Sequence, residues 1–113
     1  GKSTFLAFAA TKKTLEEQPK LADIVIKAMT EAAELIRKDP KQAAAIYTKV
    51  EPSKTMTAAD IEALLGELAN DFGPDVHGVK KTADFMQRIG QLKNAPANWS
   101  DVFVPAMSKS SSD

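Results

Sequence analysis

The residues of this chain best suited to chemistry are Gly1-Lys2-Ser3-Thr4, in the order that closes a phosphate-binding loop, and His77, the single histidine. A phosphate loop requires G-x-x-x-x-G-K-[ST], because the earlier glycine turn supplies the backbone N–H groups that cradle the phosphates. No such turn precedes Gly1 here, and the residues after Thr4 read as a strand rather than a helix start, so the match reads as coincidence. His77 needs a second convergent group for metal ligation or general-base work. The nearest carboxylate, Asp75, shares a loop with Pro74 and Gly78, and the plain reading of His77 is a solvated or hydrogen-bonding side chain. Glu16, Glu17, Glu31, Glu34, Glu62 and Glu67 alternate with lysines on helical spacing, the pattern of solvated faces. There is no cysteine and no G-x-S-x-G elbow, so nucleophilic catalysis has no candidate. The expectation is a protein that is not an enzyme and takes no cofactor or metal.

Composition narrows the partners. Fifteen basic and fifteen acidic side chains cancel in 113 residues, leaving no net field to draw in a nucleic acid or an anionic membrane. No apolar run approaches the roughly 20 residues that cross a bilayer. The length suits one domain or one piece of a larger one, and residues 108–113 (SKSSSD) read as a disordered tail.

The elements follow from apolar spacing and caps. Residues 3–10 (STFLAFAA) form a near-continuous apolar run that reads as a buried strand. Thr11 can cap a short turn through KKTLEEQ, and Pro19 suits the first turn of the next helix. Over 19–38, Leu21, Ile24, Val25, Ala28, Met29, Ala32, Leu35 and Ile36 recur at three and four, predicting a helix with this stripe buried. Asp23 with Lys27 and Glu34 with Lys38 are its i,i+4 pairs. Asp39-Pro40-Lys41-Gln42 ends it and opens a second helix through a capping box, with Ala43, Ile46, Tyr47 and Val50 inward until Pro52. Thr57 with Asp60 repeats the cap ahead of a helix over 58–70, and residues 71–78 form a structured loop. Val79, Ala83, Met86 and Ile89 predict a last helix, with Gly90 at its bend or end. The segment 92–107 reads as an ordered loop. The fold class is therefore mostly α, one N-terminal strand plus about four helices, and a lone strand leaves its N–H and C=O groups without a ladder.

Three stretches carry a family resemblance. AATKKTLEEQPKLADIVIKAMTEAAELIRKDPKQAAAIY resembles a strand, a "QP" turn, a long helix and a "DP-x-x-A-A" second helix. GVKKTADFMQRIGQLKNAPANWSDVFVP resembles an ending in which A-D-F-M and R-I-G precede P-A-x-W-x-D-x-F-x-P, and a generic T-x-x-D-I helix lies between them. Ala83, Asp84, Phe85, Met86, Arg88, Gly90, Pro96, Trp99, Asp101, Phe103 and Pro105 match together in the ending. In these features the chain is similar to the C-terminal part of the nitrate/sulfonate/taurine group of ABC-importer substrate-binding proteins, whose fold is shared with pyrimidine-precursor enzymes of thiamine synthesis.

The resemblance implies the C-terminal portion of an α/β two-lobed periplasmic binding protein, spanning 1–107, with 3–10 a strand returning to the first lobe and 19–105 the helical part of that lobe. It also implies capture of a small solute, a sulfonate, nitrate or related organic anion, and delivery to an ABC permease, in the periplasm or on the cell exterior with a membrane anchor. Ser3 and Thr4, at the start of the returning strand, would be the ligand-binding hydroxyls near the cleft; ordinary strand-end hydroxyls are the alternative. Trp99 would pack the terminal segment onto the lobe. The alternative of another class is a helical interaction module that self-associates through Phe5, Leu6 and Phe8, which an unpaired strand leaves exposed.

Overall fold

The computed structural model describes residues 2–4, 6–67 and 71–107. Among the described residues the mostly α expectation is met, with five helices in place of about four because the short turn expected after Thr11 is helical: α1 (Lys12–Glu17), α2 (Leu21–Lys38), α3 (Pro40–Val50), α4 (Ala58–Leu65) and α5 (Val79–Arg88). Two 3-10 turns, Trp99–Val102 and Pro105–Met107, follow. The chain forms two compact units, Gly1–Val25 with Pro74–Asp113, and Ile26–Gly73.

The strand expected over 3–10 is not formed among the described residues. Among the described residues of this segment, one backbone-to-backbone bond is made, from Thr4 N–H to the His77 carbonyl at 2.8 Å. The backbone groups of 6–10 meet no protein partner among the described residues, because a strand needs a neighbour to supply the second half of each rung. Phe5, the expected tail 108–113 and the 68–70 end of the third predicted helix lie outside the described residues.

The helix ends are set locally. Thr11 accepts from Thr14 N–H at 3.1 Å to start α1. Pro19 lies in the turn ahead of α2 rather than within it. Asp39 accepts from Gln42 N–H at 2.9 Å, with Pro40 at the first helical position of α3. The return bond of a capping box does not close there, because Asp39 N–H already donates to the Leu35 carbonyl at 2.8 Å and so finishes α2. At α4 the box is complete: Asp60 N–H donates to Thr57 Oγ1 at 3.2 Å and Thr57 N–H to Asp60 Oδ2 at 2.7 Å. Helix α4 stops at Leu65, short of residue 70, where Gly66 takes the cap and Glu67 N–H turns back to the Leu64 carbonyl. Gly90, at φ 78°, ends α5: Gly90 N–H bonds the Gln87 carbonyl and Gln91 N–H the Met86 carbonyl, the paired bonds of a Schellman turn.

The buried faces differ from those the spacing predicts. On α2 the single buried residue is Ala33; Leu21, Val25, Met29, Leu35 and Ile36 of the predicted stripe are half-buried, as are Ala22 and Ile26, while Ile24, Ala28 and Ala32 face water. The stripe is rotated by about one residue, because Ile26 and Ala33 sit seven apart on the face that finds neighbours. On α3, Ala43 and Ala44 are buried, whereas Ile46, Tyr47 and Val50 are exposed. Helices α3 and α4 pack together, with Ile61 buried in α4. On α5, Ala83 is buried and Met86 and Ile89 are exposed beside Phe85. Small side chains bring backbones close, and the bulky residues then have no space between them. The ion pairs shift likewise: Glu34 and Lys38 pair at 3.9 Å as expected, but Lys27 pairs with Glu31 at 4.0 Å instead of Asp23. A glutamate reaches its i−4 lysine more easily than the shorter aspartate reaches its i+4 lysine.

Thr57→Ala is expected to destabilise α4 by about 1 kcal/mol, measured by urea unfolding. The Thr57 backbone N–H, and then its hydroxyl, hold the Asp60 carboxyl below its ordinary value of 3.8. A folded-state value below the unfolded one means that the contribution is complete above the unfolded value and lost as pH falls through the folded one. The protection of the Thr57 amide, its exchange rate relative to the intrinsic rate at the same pH, should therefore fall on acidification below pH ~4, and Asp60→Asn should abolish that pH step.

Candidate functional site

Lys2, Ser3 and Thr4 lie against the loop that leads into α5, within one unit. Thr4 N–H donates to the His77 carbonyl at 2.8 Å, and His77 N–H donates to Thr4 Oγ1 at 2.9 Å. The threonine hydroxyl thus stands where the second backbone rung of a strand pair would be, which closes the bridge and prevents its extension. Gly78, at φ 69°, is buried beneath this segment: a β-carbon there would meet the Lys2 carbonyl oxygen at 3.1 Å and Ser3 Cα at 3.3 Å. Only glycine combines that backbone angle with so close an approach.

This geometry decides several expectations. Thr4 N–H, which a phosphate loop would turn toward phosphate, donates instead to the His77 carbonyl. Ser3 is exposed, while Thr4 is half-buried with its oxygen accepting from His77. His77 takes part through its backbone, and its side chain acquires no carboxylate partner among the described residues. Among the described residues no group of three or more histidine, cysteine, aspartate or glutamate side chains could hold a metal ion. Sequence reasoning missed Val76, 3 % exposed, and the buried Met107, which anchor this unit from loop and terminal turn. The signal for Val76 was present as a lone aliphatic residue between the glycines of the loop.

An open cleft of about 270 Å³ lies in the same unit, lined by Leu15, Pro19, Ala22, Asp23, Val104, Pro105 and Ala106. Its walls are apolar apart from Asp23, an acidic residue in the first turn of α2 where a negative charge complements the helix dipole. Asp23 is the one ionisable side chain among the residues that line it. Behind it the terminal segment is ordered by Asn98 N–H donating to Asp101 Oδ2 at 2.9 Å and by the Trp99 and Phe103 rings, 5.8 Å apart and tilted 59°. Trp99 is half-buried, in keeping with a packing role for that side chain. No family model, curated protein or solved structure matches the chain.

Thr4→Val should accelerate His77 amide exchange roughly fivefold, equivalent to about 1 kcal/mol, and Thr4→Ser should restore protection. Gly78→Ala should lower stability in urea more than Gly90→Ala, whose added β-carbon meets nothing within 4 Å. Equal losses would show that the backbone angle alone matters at Gly78.

Proposed function

We propose that the chain is the C-terminal portion of an ABC-importer substrate-binding protein, and that the whole protein captures a sulfonate, nitrate or related organic anion and delivers it to a membrane permease without catalysing a reaction. The reading places it in the periplasm or at a membrane-anchored exterior position. The observation that carries it is the segment 6–10, in no regular element, without backbone partners among the described residues, and holding Leu6 at 82 % and Phe8 at 78 % exposure. An apolar segment in this state suits a strand whose sheet is supplied from elsewhere. The clustered match from Ala83 to Pro105 supports the same reading. In this reading Ser3 contributes the freer hydroxyl to the solute, and Thr4 positions it through His77.

The same exposure of Leu6 and Phe8 favours a second reading, a helical interaction module that self-associates through this segment, with Phe5 as its third member. The two readings are separated by the protein isolated from its source with an antibody against this chain. A mass well above 12.2 kDa, together with calorimetric binding of nitrate, taurine or an alkane sulfonate, is the expected outcome. A 12.2 kDa species inert to all three solutes would overturn it. If that species sediments as a dimer and Leu6→Ser with Phe8→Ser makes it a monomer, self-association replaces solute capture.

A further inference from the structure

Helix α5 carries an outward face that neither reading uses. Lys81 lies four residues before Phe85, and Arg88 and Ile89 three and four after it, so the four share one side of the helix, away from the buried Ala83. Phe85 is 50 % and Ile89 51 % exposed, so two large apolar side chains stand in water side by side. The Arg88 guanidinium lies 5.4 Å from the centre of the Phe85 ring. That cation–π contact draws the arginine over the aromatic while the side chain stays exposed to solvent. The acid nearest this face, Asp84, is engaged by Lys80 at 2.5 Å. Lys81 and Arg88 have no carboxylate partner among the described residues.

We infer that this face docks an acidic segment of a partner protein, one apolar side chain of which seats against Phe85 and Ile89 while its carboxylates pair with Lys81 and Arg88. Charge complementarity selects the occupant. A second copy presenting the same face about a two-fold axis would bring two further cations and no carboxylate for Lys81 or Arg88 to pair with. A lipid surface is disfavoured because a helix lying in a membrane interface needs a continuous apolar stripe, whereas this side alternates two apolar residues with two cations, and the net charge of zero gives no long-range pull toward anionic lipid. Arginine and an aromatic at the centre of a small patch are the residue types that carry most binding energy at protein interfaces.

The test uses the full 113-residue chain. The probe is a fluorescein-labelled peptide of repeated Glu-Glu-Leu units, with a Lys-Lys-Leu peptide and phosphatidylglycerol vesicles as the other arms. The Glu-Glu-Leu peptide should bind, with amide shift changes in the NMR spectrum centred on 81–89. Phe85→Ser should weaken binding by about tenfold, and Lys81→Glu with Arg88→Glu should abolish it and favour the Lys-Lys-Leu peptide. These side chains face water, so circular dichroism should remain that of the parent chain, and the shift map tests the face without any substitution. Equal binding of both peptides, shift changes elsewhere, or failure of the acidic peptide to bind would overturn the inference. Binding to vesicles in place of the acidic peptide would assign the face to lipid and overturn the protein partner.

Discussion

Alanine sets the packing of this chain. Ala33, Ala43, Ala44 and Ala83 are each less than a tenth exposed and, with Ile61, Val76 and Met107, make up the buried apolar set among the described residues. A small side chain lets two backbones approach closely, but it removes only about one methyl group from water, of the order of 0.8 kcal/mol. Where alanine makes the contact, the neighbouring isoleucine, tyrosine or phenylalanine is turned outward, as Ile46 and Tyr47 are on α3 and Phe85 is on α5. The favourable term that usually dominates folding is therefore left largely unused on these faces.

Local hydrogen bonds take on a correspondingly greater share. Side chains cap α1, α3 and α4 through Thr11, Asp39 and Thr57, and a Schellman turn at Gly90 finishes α5. The exchange between Thr4 and His77 is the same device at long range in sequence, a hydroxyl satisfying a backbone N–H where a neighbouring strand would otherwise do so. It fastens the N-terminal segment over Gly78 and leaves residues 6–10 exposed to solvent.

The exposed apolar groups and the functional readings are thus one problem seen from two ends. A chain that keeps Leu6, Phe8, Ile24, Val50 and Phe85 in water gains by covering them, and each proposed role supplies a cover: sheet neighbours for the N-terminal segment and an acidic partner for α5.

Much of the helical architecture was legible from sequence because its determinants are short-range. Thr11, Asp39, Thr57 and Gly90 act on backbone groups within five residues, so type and spacing alone locate the ends of α1, α3, α4 and α5. The apolar spacing of α2 likewise determined that a helix forms there. It did not determine which side is buried, since Ile24 and Ile26 are equally apolar and only the elements packed alongside select Ile26. The strand over 3–10 failed for the same reason: an apolar run sets a preference for extension, but its ladder is made by another segment, and here Thr4 meets the loop at His77 instead. Local hydrogen bonding belongs to the sequence, whereas burial and strand pairing are decided between distant segments, where tertiary structure alone chooses among faces of similar hydrophobicity.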